Sequence, residues 1–90
     1  MASVFVIDDE AHCELQDGKF RTRADAIAEL ERRAKIPWDA EPNRAPCMQW
    51  RTCGRRYVML EFNETKDPLA ELSRESILAI SAKGVEWEQR

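Results

Sequence analysis

No apolar run in this sequence approaches the roughly 18 residues that a membrane-crossing helix requires. Basic residues are lacking ahead of Asp8-Asp9-Glu10, which Met1-Ala2-Ser3-Val4-Phe5-Val6-Ile7 meets at once, so a signal peptide is not expected. The expected setting is the cytoplasm, with no membrane partner. Cysteine is scarce and odd in number: three thiols cannot all pair, which suits a reducing compartment better than a disulfide framework. Histidine occurs once, so any cysteine nucleophile has His12 as its single candidate imidazole base. Internal repeats and low-complexity segments are absent.

What remains is the composition of a small globular domain. The 90 residues are 43% hydrophobic and 34% charged, with a formal net charge of -3. Such a chain makes one domain, 1–90, with a small and marginal core. Its acidic balance argues against nonspecific binding to nucleic acid. The charge is unevenly spread, however: residues 42–60 contain four arginines and no acid. An anionic partner would be attracted locally, at that segment.

Hydrophobic periodicity gives the element order. Residues 3–7 read as a strand with apolar side chains on both faces, Val4 and Val6 against Phe5 and Ile7. Asp8-Asp9-Glu10 reads as a solvated turn. Residues 12–16 alternate as a half-buried strand, Asp17-Gly18 makes a turn, and 19–21 can add a short strand. Thr22 followed by Asp25 resembles a capping box for a helix over 23–35. Its apolar face is expected to be Ala24, Ile27, Ala28, Leu30 and Ala34, with Glu29, Arg32, Arg33 and Lys35 elsewhere. Pro37 stops it. A connection of about 19 residues follows, longer than compact domains ordinarily carry without a functional reason. Residues 56–62 form a strand, with Val58, Leu60 and Phe62 facing one way and Tyr57, Met59 and Glu61 the other. Asp67-Pro68 is a helix-start signal for a short helix over 68–73. Residues 76–82 form a further strand, Leu78 and Ile80 opposite Ile77 and Ala79, and Val85 and Trp87 extend the edge. The order describes an α+β fold: an antiparallel or mixed sheet of about four strands, one principal helix on one face, and a long ordered loop.

That loop, 42–56, concentrates the unusual chemistry. Arg44, Trp50, Arg51, Arg55 and Arg56 form a basic and aromatic cluster in which guanidinium forks suit phosphate or carboxylate and Trp50 can stack on a ring. The competing reading has Arg44, Arg51 and Arg55 paired with acids of the same chain, pinning the loop to the acidic N-terminal half; it stands somewhat ahead. Cys47 and Cys53 are the candidate reactive thiols. Cys53 lies beside Arg51, Arg55 and Arg56, and positive neighbours favour a thiolate. Their spacing is wider than zinc ligand pairs favour, and Cys13 and His12 would point to opposite faces of a strand. No metal or other cofactor is therefore expected, and packing roles for both cysteines are favoured. His12 is expected at the surface and outside any catalytic role.

The segment Pro42-Asn43-Arg44-Ala45-Pro46-Cys47, with Trp50-Arg51-Thr52-Cys53-Gly54-Arg55, resembles a group of small uncharacterised bacterial proteins. The resemblance extends over Phe5-Val6-Ile7-Asp8-Asp9 and Ile80-Ser81-Ala82-Lys83-Gly84-Val85-Glu86-Trp87, and implies a bacterial cytoplasmic protein without implying an activity. The opening β-β-α order is also similar to antitoxin domains of HicB type, a fold analogy. The functional expectation is a noncatalytic binding module whose loop 42–56 meets a protein or a small anionic ligand. A nucleic-acid-associated regulator using the same arginines is the alternative and is not favoured. A metal- or thiol-dependent protein comes third.

Overall fold

The structure, a computed structural model, describes residues 3–45, 54–63, 65 and 70–89. Its elements are β1 (Ser3–Asp9), β2 (Glu14–Leu15), α1 (Arg23–Ala34), β3 (Arg55–Asn63), β4 (Ala70–Ser81) and β5 (Gly84–Trp87). The strands form one antiparallel sheet in the order β2-β1-β3-β4-β5, and α1 lies on one face. The α+β class holds, with five strands instead of about four. Among the described residues, no helix is long and apolar enough to cross a membrane.

The two central strands behave as their alternation predicts. Phe5 and Ile7 of β1, with Tyr57 and Met59 of β3, face the helix; Val6, Val58, Leu60 and Phe62 pack together on the other side. Register aligns them, since Ile7 opposes Met59 and Val6 opposes Leu60. In α1, Thr22 is the N-cap and its hydroxyl accepts from the Asp25 N–H at 3.1 Å, as the capping signal indicates.

The buried face of the helix is rotated from the expected one. Ala26, Leu30 and Arg33 are buried, Ile27 and Ala34 are partly buried, while Ala24 and Ala28 are exposed. Alanine marks a helix face weakly because it is small and favours helix on any side. Arg33 is tolerated inside because Glu29, Gln16 and the Tyr57 ring supply partners for it, described below.

Three other expectations need correction. Residues 10–13 form a turn, not part of a strand, and only Glu14–Leu15 pair with β1. Asp9 causes this: its carboxylate accepts from the Ala11 N–H at 3.1 Å, and its carbonyl from the His12 N–H at 3.2 Å, winding the chain up at once. The 19–21 segment contributes a single bridge, Phe5 to Phe20. Residues 70–73, assigned by pattern to a short helix, belong to β4 and pair with the end of β3; Asp67 and Pro68 lie outside the described residues.

Ile77 and Leu78 are consecutive yet both fully buried in the helix-side core, where alternation places them opposite each other. The ladder passes from Tyr57↔Leu78 to Val58↔Ser76, leaving Ile77 as the extra residue of a bulge. A bulge breaks the two-residue period, so neighbouring side chains can share a face. A second irregularity follows between Glu61 and Phe62.

Leu30 is fully buried at the centre of this core. Leu30→Ala is expected to destabilise the chain by about 2–5 kcal/mol in equilibrium urea unfolding. A loss below about 0.5 kcal/mol would remove the helix from the core.

Candidate functional site

Asp9 continues the helix-side parity of Phe5 and Ile7, so strand geometry carries an acid into a buried position at the end of β1. It is fully buried. Its Oδ1 accepts from the backbone N–H groups of Ala11 and Arg56, both at 3.1 Å. Its Oδ2 meets His12 Nδ1 at 2.6 Å and Arg55 Nη1 at 3.0 Å. The acidic run is thus not simply a solvated turn: its middle residue is a structural acceptor. His12 is held over that acid with its side chain 14% exposed, and Cys13 beside it is exposed at φ 51. The two do not alternate on a strand, because both lie in the turn.

Arg55 opens β3 and is almost as deeply buried, with its side chain 6% exposed. Besides Asp9, Nη1 reaches Glu14 Oε1 at 2.8 Å. The other nitrogens turn the opposite way. Nε donates to the Pro42 carbonyl at 3.0 Å and Nη2 to the Arg44 carbonyl at 2.8 Å. One guanidinium therefore ties the acidic N-terminal half to the first arm of the long loop, and does so from the residue where that loop rejoins the sheet. Gly54 fits here because a Cβ would collide with the Ile80 carbonyl oxygen.

The same arm is fastened to the helix by Asn43, also fully buried. Its side-chain amide donates to the carbonyl of Arg33 at 2.8 Å, in the last turn of α1, and to that of Ile36 at 2.9 Å, just beyond it. Its Oδ1 accepts from the Tyr57 hydroxyl at 2.9 Å. Arg33 lies over the Tyr57 ring, 5.1 Å from its centroid, and donates to Glu29 at 2.7 Å and Gln16 at 3.0 Å. Among the described residues, no buried side-chain nitrogen or oxygen lacks a hydrogen-bond partner. The protonation states follow from these contacts. Hydrogen bonding to Arg32, then to Arg33, holds the Glu29 carboxyl below its ordinary range against some desolvation. Burial pushes the Tyr57 hydroxyl above its ordinary value, more than the nearby Arg33 and Arg55 charges lower it.

The residues singled out by sequence thus separate. Arg44 and Arg56 point outward, their side chains 52% and 53% exposed; Arg44 lies 3.9 Å from Glu41, and Arg56 is 3.0 Å from Glu88 and 3.8 Å from Glu10. Arg55 faces inward. Cys47, Trp50, Arg51 and Cys53 lie outside the described residues. Sequence reasoning passed over Asp9, Gln16, Arg33, Asn43 and Tyr57, of which Asp9 alone left a signal, in its strand parity.

An open polar cleft of about 350 Å³ lies above the network, lined by Glu14, Gln16, Asp17, Arg33, Glu41 and Arg55 among others. Both guanidiniums at its floor are committed to protein acceptors. His12 and Asp9 form the pairing by which a carboxylate orients an imidazole base, but that carboxylate oxygen is shared with Arg55. Its charge is already balanced by a cation. The described residues contain no group of three or more His, Cys, Asp and Glu that could hold a metal ion. The arrangement is built to hold the chain together.

Two outcomes follow. Arg55→Ala removes the cation from a buried acid and both ties to the loop, and is expected to cost about 3–5 kcal/mol in urea unfolding. Arg44→Ala, which leaves the Arg44 carbonyl in place, should change stability by no more than about 0.5 kcal/mol. Equal losses would refute the assignment of the tie to Arg55. The second outcome concerns pH. The folded chain holds the Tyr57 proton more tightly than the unfolded chain, so stability should fall as pH rises through and beyond 10.0. Unfolding followed by fluorescence should show that decline in the native sequence and a shallower one in Tyr57→Phe.

No family model, curated protein or solved structure matches this chain.

Proposed function

We propose that this protein is a noncatalytic binding module that offers the segment 46–53, with Cys47, Trp50 and Arg51, to a partner protein or a small anionic ligand. The observation that supports the reading is the double tie made by Arg55. Its side chain grips the carbonyls of Pro42 and Arg44, just before the segment, while its own backbone begins β3, just after it. Binding residues are commonly carried on loops positioned by a rigid scaffold. A fixed stem lowers the ordering cost that association imposes on the residues near it. Arg44 and Arg56 flank the stem with half-exposed side chains that can add to an anionic contact.

The nucleic-acid reading draws less support, since the chain as a whole is acidic, with a formal net charge of -3. A mobility shift lost steeply with added salt would favour it.

The test uses a displayed peptide library selected on the intact chain, with Trp50→Ala and Arg51→Ala as comparison variants. The expected result is a set of acidic sequences whose affinity drops about tenfold in Arg51→Ala, while the melting temperature stays within about 2 °C. A lowered melting temperature with unaltered binding would make Arg51 a structural residue and sink the proposal.

A further inference from the structure

We draw no further inference here: the strongest candidate, the outer edge of β4 over residues 71–76, which β5 leaves without a strand partner among the described residues, carries nothing, because its exposed Glu71 and Arg74 are already paired with each other at 3.3 Å and nothing in the structure shows what would lie along it.

Discussion

The buried contact between Arg55 and Asp9 is the constraint on which the rest of this structure depends. Neither charge can be left alone in the interior, because an isolated buried ion costs several kcal/mol even after the protein relaxes around it. Each must therefore find every partner it can, and the partners dictate where the neighbouring chain goes. Asp9 recruits the turn at residues 10–12 and the Arg56 amide of β3. Arg55 recruits Glu14, and with it the short second strand, then the carbonyls of Pro42 and Arg44. One pair of charges sets the path of three segments that have little apolar surface of their own.

The helix is joined to this arrangement through polar atoms as much as through its core face. Leu30 and Ala26 supply the apolar contact with the sheet. Asn43 closes the far end by giving its amide hydrogens to one carbonyl of the last turn and one just beyond it, and Tyr57 links that amide back to β3. Arg33 lies between them, stacked on the Tyr57 ring. In a domain of 90 residues, whose hydrophobic core is limited by its surface-to-volume ratio, such cross-links help to define one arrangement of the parts.

Much of the fold was legible because its strongest signals are local. The alternation in β1 and β3 holds residue by residue, and Thr22 caps the helix as its spacing with Asp25 indicates. What was misread depends on contacts distant in sequence. Nothing local separates a buried Arg33 from an exposed one; the difference is the Tyr57 ring, twenty-four positions away. The bulge at Ile77 is fixed by pairing with β3, and the strand over 70–73 prevails over a local helix signal for the same reason. The candidate loop was legible as chemistry and not as geometry. Its arginines stood out in composition, but which of them would turn inward depended on the position of Asp9.

Arg55 grips the stem of the loop through main-chain oxygens, those of residues 42 and 44. A grip of that kind is indifferent to the identity of residue 44, since every amino acid carries the same carbonyl. Evolution can rewrite what the loop displays without dismantling the mount beneath it. The same division of labour makes the stem a natural place to graft foreign loops: the anchoring information resides in Asp9, Asn43 and Arg55, outside the eight residues that would be exchanged.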